Sequence, residues 1–275
     1  MSTGALYGET RGEAGAPAVL LLHGFLGSSA DWSEVATRLE GEFYCLCPDL
    51  PGHGRSAGLP GSYSMERTSR LLADLLDRNG VSRTHVVGYS MGGRLALFFA
   101  LAHPERCRRL ILESASPGLP TEEERTARRE LDEARAAEIE TGDFLAFLKA
   151  WYRQPLFETY RRHEGLLEQM IEERSDNSPR EVARSLREMG TGSQPSLWDR
   201  LEDLRMPVLA VAGAHDGKFV EIAERMVLRM PRARTAVVPG AGHTLHAEKP
   251  EPFVNIVIDF LKETFLTPYG RSRVE

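Results

Sequence analysis

A glycine–serine–glycine turn lies between a predicted strand and a predicted helix, and this arrangement strongly limits the folds open to the chain. Residues 83–87 are rich in β-branched side chains, residues 88–92 read Gly-Tyr-Ser-Met-Gly, and an apolar helical stretch follows at residues 94–102. A tight strand–turn–helix holds a serine exposed and directs the N–H groups of the helix N-terminus at it. The turn therefore predicts an α/β sheet with Ser90 as a candidate reactive group, the alternative being an ordinary serine in a glycine-rich turn.

Short apolar segments alternate with helical ones in two parts of the chain. The predicted strands are residues 18–22, 43–47, 85–87, 109–113, 208–212 and 235–238, and the predicted helices between them include 32–39, 68–79, 220–230 and 251–265. Strands that are apolar on both faces and alternate with helices are typical of a mostly parallel central sheet with helices on both faces. The sequence therefore predicts an α/β fold.

The alternation stops between residues 118 and 194. This stretch shows no convincing strand and is charged and helical, with predicted helices at residues 122–139, 144–151, 160–174 and 179–189. A helical segment between two parts of one α/β pattern is most simply an insertion. We therefore expect a core formed by residues 1–117 and 195–275 and a helical cap formed by residues 118–194.

Composition excludes several classes of protein. The net charge of −6 argues against a nucleic-acid binder, which needs a basic face. No apolar run approaches the roughly 20 residues that span a bilayer, and the N-terminus does not resemble a secretory signal. Three cysteines suit a reducing compartment, and none forms a zinc-ligand pattern with histidine. We expect a cytoplasmic protein without a metal, either a monomer or a small homo-oligomer.

Two further residues complete a candidate catalytic triad. Asp216 follows the predicted strand 208–212, and His243 follows the predicted strand 235–238. A serine nucleophile needs a histidine base and an orienting carboxylate, and the carboxyl ends of parallel strands open on one edge of a sheet. The order Ser90, Asp216, His243 therefore predicts a triad.

Several alternatives to these assignments stay open. Glu113 is the main rival to Asp216 as the orienting acid, and His215 and His246 are rivals to His243 as the base. The predicted oxyanion hole consists of the backbone N–H groups of Phe25 and Met91, since one such donor follows the serine and the other follows the first strand. His23 and His53 are interpreted as residues that shape their loops.

The chain resembles the α/β-hydrolase superfamily over most of its length. Within the superfamily it is most similar to a branch of the menaquinone pathway, the 2-succinyl-6-hydroxy-2,4-cyclohexadiene-1-carboxylate synthases, known as MenH. The motifs that carry the resemblance are Gly-Tyr-Ser-Met-Gly-Gly-Arg at residues 88–94, Glu-Ser-Ala-Ser-Pro-Gly-Leu at 113–119, Trp-Tyr-Arg-Gln-Pro-Leu-Phe at 151–157 and Asp-Gly-Lys-Phe at 216–219. The resemblance implies a carbon–oxygen lyase that eliminates pyruvate, with the triad as a general base and with no metal or organic cofactor.

The expected substrate carries several carboxylates, and arginine forks are suited to bind them. Arg94 lies one helical turn after Ser90, near the predicted pocket. The resemblance further implies substrate contacts from residues of the serine turn and the cap, namely Tyr89, Arg128, Trp151, Tyr152, Phe157 and Arg174. The alternatives are a solvated helix face for Arg128 and Arg174 and simple cap packing for the aromatic residues, and the sequence leaves open whether Arg128 or Arg129 faces the pocket.

Two rival functions share this fold. A carboxylesterase or a carbon–carbon bond hydrolase would use the same triad, but an esterase for neutral substrates has no need of Arg94 beside the nucleophile. A non-catalytic binding protein of the same fold usually lacks a triad member, whereas all three are present here.

Overall fold

A seven-stranded sheet forms the centre of the molecule in a computed structural model, which describes residues 4–163 and 165–263. The strands are β1 Gly8–Arg11, β2 Ala18–Leu22, β3 Tyr44–Pro48, β4 Thr84–Tyr89, β5 Cys107–Glu113, β6 Val208–Gly213 and β7 Ala233–Val238. Their order in the sheet is β1-β3-β2-β4-β5-β6-β7. The pairs from β3 to β7 are parallel, and only the pairing of β1 with β3 is antiparallel. The predicted α/β fold is confirmed.

Helices cover both faces of this sheet. The α-helices of the described residues are α1 Ser33–Leu39, α2 Met65–Arg78, α3 Met91–Ala102, α4 Glu122–Thr141, α5 Phe144–Trp151, α6 Leu166–Ser175, α7 Pro179–Met189, α8 Gly217–Val227, α9 Leu245–Glu248 and α10 Pro250–Lys262. Alternate side chains of β2 enter two separate core clusters, because successive residues of a strand point to opposite faces. Leu20 belongs to the cluster that contains side chains of α2, α3 and α8, whereas Leu21 belongs to the cluster that contains side chains of α1 and α10.

One strand, β1, was missing from the sequence prediction. Its residues read Gly-Glu-Thr-Arg and are half-buried or exposed. The strand lies at the edge of the sheet, where one side of its backbone has no neighbour, and its polar side chains give no apolar pattern. An edge strand of this kind leaves little signal in the sequence.

Four α-helices, α4 to α7, lie between β5 and β6. Their apolar side chains form a third core cluster, which includes Ala136, Phe147 and Val182 and also takes in Leu26 from the loop after β2. The bounds of α5 and α7 are as predicted. The predicted helix 160–174 is divided, because Gly165 has φ of +76° and breaks the right-handed backbone ahead of α6. The assignment of residues 118–194 to a separate cap stays a prediction.

Other boundaries differ by a few residues. α8 begins at Gly217 and not at residue 220, directly after Asp216. α10 ends at Lys262, and the last two residues of the predicted helix 251–265 lie outside the described range. Within the described residues, no helix is long and apolar enough to cross a membrane. All three cysteines are buried and free.

Candidate active site

The turn after β4 gives Ser90 an unusual backbone. Its φ is +50° and its ψ is −107°, backbone angles that residues other than glycine rarely adopt. Glycines make the turn possible, because a Cβ at Gly88 would collide with the carbonyl of Gly92, and a Cβ at Gly92 would collide with the carbonyl of Leu22. Strand β4 and helix α3 therefore approach each other closely. Ser90 lies between them, half-buried at the N-terminus of the helix.

The three predicted triad residues meet at the carboxyl edge of the sheet. Ser90 Oγ lies 3.2 Å from His243 Nε2, and His243 Nδ1 lies 2.6 Å from Asp216 Oδ2. Asp216 and His243 follow β6 and β7, and both side chains are buried. The imidazole is therefore placed to take a proton from the serine while the carboxylate holds its other nitrogen.

The rival acid and one rival base pair with each other instead. His246 Nδ1 lies 2.9 Å from Glu113 Oε1, and its ring stacks on Trp32 at 4.5 Å between ring centroids. Burial acts to lower the pKa of His246, but the charge of Glu113, the hydrogen bond to it and the charge of Asp31 together outweigh burial, and the pKa is raised. Glu113 is therefore engaged away from His243.

The loop after β2 carries one of the predicted oxyanion donors. The N–H groups of Phe25 and Met91 have no acceptor in the described part of the chain, so both are free to bind a ligand oxygen. Leu26 follows Phe25 with φ of +69°, and its N–H donates to His53 Nε2 at 3.2 Å. Burial lowers the pKa of His53 to about 3, which keeps the ring neutral and able to accept.

The loop-shaping interpretation of the two early histidines agrees with their contacts. His23 Nε2 accepts the N–H of Leu50 at 2.9 Å, and His53 accepts the N–H of Leu26. The side chain of Asn177, between α6 and α7, donates to the carbonyl of Leu26 at 2.8 Å. The loop that holds Phe25 is thus fixed from two sides.

A larger cavity, of about 540 Å³, opens beside Ser90 and His243. Phe25 and Met91 line it, as do Trp151 and Gln154. Cationic side chains are frequent in its wall, namely Arg94, Arg128, Arg135, Lys218 and Arg225. Among the described residues that line it, Glu124 is the only one with a carboxylate. This charge pattern suits a ligand with several negative groups.

Arg94 is the buried member of this cationic set. Its guanidinium donates to the carbonyl of Met189 at 3.1 Å and to Gln194 Oε1 at 2.8 Å, and both acceptors are neutral. Within residues 4–163 and 165–263 it forms no ion pair. Burial and the nearby charge of Arg128 lower its pKa to about 10, so the group remains cationic at neutral pH. Its charge is therefore available to a ligand.

Arg128 also faces this cavity, but its charge is partly compensated. Its Nε donates to Asp132 Oδ1 at 2.8 Å, and its side chain is about a third exposed. The neighbouring Arg129 bonds to Glu122 and to the carbonyl of Gly192, and it does not line either cavity. The structure thus distinguishes the two adjacent arginines.

The other predicted substrate residues line a smaller cavity, of about 330 Å³, that also reaches Ser90 and His243. It contains Tyr89, Tyr152, Phe157 and Arg174, and Trp151 contributes to both cavities. Burial raises the pKa of both tyrosine hydroxyls, so they stay protonated. The tyrosine beside Ser90 packs edge-on against the His243 ring at 5.4 Å.

Arg174 differs from Arg94 in having a carboxylate partner. Its Nη2 lies 2.6 Å from Asp31 Oδ1, and less than a tenth of either side chain is exposed. Its Nε donates to the hydroxyl of Tyr152 at 3.3 Å. Burial acts to lower the pKa of Arg174, but the charge of Asp31, the contact with Tyr152 and the hydrogen bonds to both together outweigh burial, and the pKa is raised. The structure therefore joins this arginine of α6 to the loop region after β2.

The sequence prediction did not include all residues of the larger cavity. Gln154 and Lys218 lie in segments that carried the resemblance and could have been included on that ground. Arg135 and Arg225 lie outside these segments, and the sequence does not show that they line the cavity, because this depends on how α4 and α8 pack. No group of three or more His, Cys, Asp or Glu side chains in the described ranges is arranged to hold a metal ion.

Comparisons with known proteins agree on a family. Residues 17–250 match the family model of the alpha/beta hydrolase fold. The chain is 40% identical over 247 residues to the putative 2-succinyl-6-hydroxy-2,4-cyclohexadiene-1-carboxylate synthase of Bacillus subtilis (strain 168), covering 89% of this chain and 90% of that protein. It is 36% identical over 246 residues to the synthase of that name from Enterobacter sp. (strain 638), covering 89% and 92%.

A solved structure leads to the same family. MenH from S. aureus superposes with a TM-score of 0.89 at 32% identity, covering 93% of this chain and 98% of that one. The chain therefore belongs to the α/β-hydrolase family and, within it, to the 2-succinyl-6-hydroxy-2,4-cyclohexadiene-1-carboxylate synthases.

Proposed function

We propose that this chain is a lyase that eliminates pyruvate from 2-succinyl-5-enolpyruvyl-6-hydroxy-3-cyclohexene-1-carboxylate and gives 2-succinyl-6-hydroxy-2,4-cyclohexadiene-1-carboxylate. The observation that carries the proposal is Arg94, a buried cation beside Ser90 with only neutral hydrogen-bond acceptors. A buried charge without a counter-ion is costly, so its placement in a cavity wall is best explained by an anionic ligand. The identity to the synthases supports the same conclusion.

The reaction begins with a proton transfer. Ser90 Oγ takes the ring proton next to the succinyl ketone while its own proton passes to His243 Nε2, 3.2 Å away. The electron pair left on the ring moves through the ring double bond, and the carbon–oxygen bond to the enolpyruvyl group breaks. The departing enolate receives a proton and becomes pyruvate. Asp216 stabilises the imidazolium that forms in between.

Negative charge develops on the succinyl ketone oxygen as the ring proton leaves. The N–H groups of Phe25 and Met91 have no other acceptor in the described residues and would bind that oxygen. Fixed donors in a site shielded from water stabilise such charge strongly, and loss of one donor typically slows a reaction about 100- to 1000-fold. In this proposal Ser90 acts as a base, and no covalent acyl-enzyme forms.

The substrate carries carboxylates on the ring, the succinyl chain and the enolpyruvyl group. Arg94 and Arg128 in the larger cavity are the proposed partners of two of them, because guanidinium forks bind carboxylates through paired hydrogen bonds. Trp151 and the aromatic residues of the smaller cavity would form apolar walls around the ring. This chemistry needs neither a metal nor an organic cofactor, and we place it in the cytoplasm.

The test is release of pyruvate from this substrate, with the spontaneous elimination subtracted. We expect fast release by the unchanged protein and a loss of about 100- to 10,000-fold in Ser90→Ala, which removes the proton acceptor. Ser69→Ala is the control, since this serine of α2 is buried, lines neither cavity and has a hydroxyl without a hydrogen-bond partner in the described residues. That variant should keep nearly the full rate.

The outcomes separate the rival functions. Release no faster than the spontaneous reaction, together with rapid hydrolysis of aryl esters, would indicate an esterase. Failure of a fluorophosphonate to label Ser90 would indicate a binding protein without a working triad. Mass spectrometry during turnover adds a check on the base role, because an acylated Ser90 would contradict it.

A further inference from the structure

The loop that carries His243 has few backbone hydrogen bonds of its own. Its carbonyl at Ala241 accepts the N–H of His215 at 3.0 Å, which ties it to the loop of the triad aspartate. Gly240 has φ of +69°. The imidazole must reach Asp216 with one nitrogen and Ser90 with the other, and these two partners lie on separate loops of the sheet edge. The position of the histidine backbone therefore has to be fixed by other means.

A buried carboxylate supplies two of the missing contacts. Glu248 Oε2 accepts the N–H of Gly242 at 2.9 Å, and Glu248 Oε1 accepts the N–H of Thr244 at 3.1 Å. These two N–H groups belong to the residues on either side of His243. The short helix α9 turns the chain back so that Glu248 faces the loop, and the N–H of Glu248 donates to the carbonyl of Thr244 at 2.9 Å.

This placement is unusual for a glutamate. The residue is 5% exposed and has no ion pair among residues 4–163 and 165–263. Burying a carboxylate is costly unless hydrogen bonds satisfy it, and here the recorded donors are the two backbone N–H groups beside the histidine. Hydrogen bonds to an ionised acceptor are roughly twice as strong as neutral ones. The contacts made by Glu248 therefore act on the backbone that carries His243.

We propose that Glu248 is a positioning residue that holds the backbone on both sides of His243 and so aligns the imidazole with Ser90. The inference rests on the proposed function in one respect, that His243 is the base of the reaction. Both carboxylate oxygens are needed, because each accepts a different N–H. A glutamine has one carbonyl oxygen, and its NH₂ group would face the second N–H as donor against donor.

Two neutral contacts remain when the carboxylate is changed. The hydroxyl of Tyr89 lies 3.0 Å from Thr244 Oγ1, and Gly242 packs against Thr159. These contacts keep the loop in place approximately, so a glutamine variant should still fold. A displacement of about 1 Å in the imidazole is enough to slow the reaction about 100-fold.

The experiment measures how fast a fluorophosphonate labels Ser90 in Glu248→Gln and Glu248→Ala. We expect the first-order labelling rate to fall about 10- to 100-fold in both variants. Glu251→Gln is the matched control, since Glu251 is exposed on the first turn of α10, three residues further on, and should label at the unchanged rate. Urea unfolding of each variant gives its folded fraction, and dividing the observed labelling rate by this fraction separates a loss of alignment from a loss of stability.

Pyruvate release then separates this inference from the proposed function. For Glu248→Gln we expect kcat to fall by the same factor as the labelling rate, with KM changed less than about twofold, since the substrate contacts are intact. Labelling at the unchanged rate in both Glu248 variants would overturn the positioning role. If the unchanged protein releases no pyruvate but labels rapidly, the proposed function fails, and the labelling rates still decide the role of Glu248.

Discussion

The two cavities that meet at Ser90 treat a buried arginine in opposite ways. Among the described residues, Arg94 in the larger cavity bonds only to a backbone carbonyl and a glutamine, whereas Arg174 in the smaller cavity is paired with Asp31 at 2.6 Å. Both guanidinium groups are buried to the same extent. Burial alone therefore does not indicate a ligand site, and the partner decides whether the charge is available.

Two buried histidines show the same contrast. His53 has no carboxylate partner in the part of the chain that the structure describes, and burial lowers its pKa to about 3. His246 lines the smaller cavity, where the charge of Glu113, the hydrogen bond to it and the charge of Asp31 together outweigh burial and raise the pKa of the imidazole. In the smaller cavity the buried basic side chains of Arg174 and His246 thus each contact a carboxylate, and these contacts hold this part of the wall together.

The largest expected effect concerns Arg174→Met. We expect this change to lower the free energy of unfolding by about 3–5 kcal/mol, because it leaves the carboxylate of Asp31 buried without a partner. Urea unfolding measures the loss. Arg174→Met combined with Asp31→Asn should recover most of it, since no buried charge then remains. A variant of normal stability with a strongly raised KM would break the comparison and make Arg174 a substrate contact.

The next effect concerns Arg94→Met, which should lower the rate of catalysis without lowering the free energy of unfolding. We expect kcat/KM for pyruvate release to fall about 10- to 100-fold, the value of a hydrogen bond to a charged group. The free energy of unfolding should stay the same or rise, because a buried cation without a counter-ion is removed. Arg94→Lys should recover only part of the rate, since it restores the charge but not the fork. Unchanged kcat/KM in Arg94→Met would contradict the assignment.

A third prediction uses pH to compare the two histidines. His53 has a folded pKa of about 3 against about 6.5 in an unfolded chain, so the unfolded state binds the extra proton between these values and stability falls as pH drops. From pH 6.5 to pH 5 this loss is about 2 kcal/mol. His53→Gln should lack it, since a glutamine oxygen accepts the same N–H without titrating. Urea unfolding of both proteins across this pH range is the measurement, and equal slopes would refute the prediction.

His246 should give the opposite sign, because its folded pKa is raised. Its stabilisation is fully present below pH 6.5 and is lost as pH rises through the folded value. His246→Gln should therefore lose more stability relative to the unchanged protein at acid pH than at alkaline pH. A loss of stability in His246→Gln that grows as the pH rises would contradict the ion pair between His246 and Glu113.

The smallest effect is expected from Lys218→Gln. This lysine is exposed at the edge of the larger cavity, so its charge acts through solvent. We expect a decrease of about two- to fourfold in kcat/KM at low ionic strength that disappears at high salt, because exposed charges are screened beyond about 10 Å. The same decrease at both salt concentrations would show instead that Lys218 contacts the substrate directly.

The sequence predicted the elements with a clear apolar pattern well. The bounds of β2, α5 and α7 agree with the structure, because each is set by apolar spacing or by a proline at the helix start. Edge strand β1 was missed for lack of such a pattern. The meeting of Ser90, Asp216 and His243 could be predicted because each residue follows a strand of one parallel sheet and their order along the chain can be read from the sequence.

Partners that are distant in sequence were beyond such reasoning. Arg174 and Asp31 are 143 residues apart, and Arg94 and Gln194 are 100 residues apart. The sequence therefore made both Arg94 and Arg174 candidate substrate contacts, and the packing of α6 on the loop region after β2 shows that their partners differ. The role of Glu248 was likewise hidden, since it depends on the turn made by α9.

The walls of the larger cavity and its reactive groups come from different parts of the chain. Ser90, Asp216 and His243 stand on loops of the sheet, whereas Arg128, Trp151 and much of the opposite wall belong to α4–α7. Substitutions in these helices can therefore reshape the space offered to a ligand without moving the proton-transfer groups. For an engineer, the helices are the part to randomise. Labelling by a fluorophosphonate then identifies the library members in which Ser90 is still reactive.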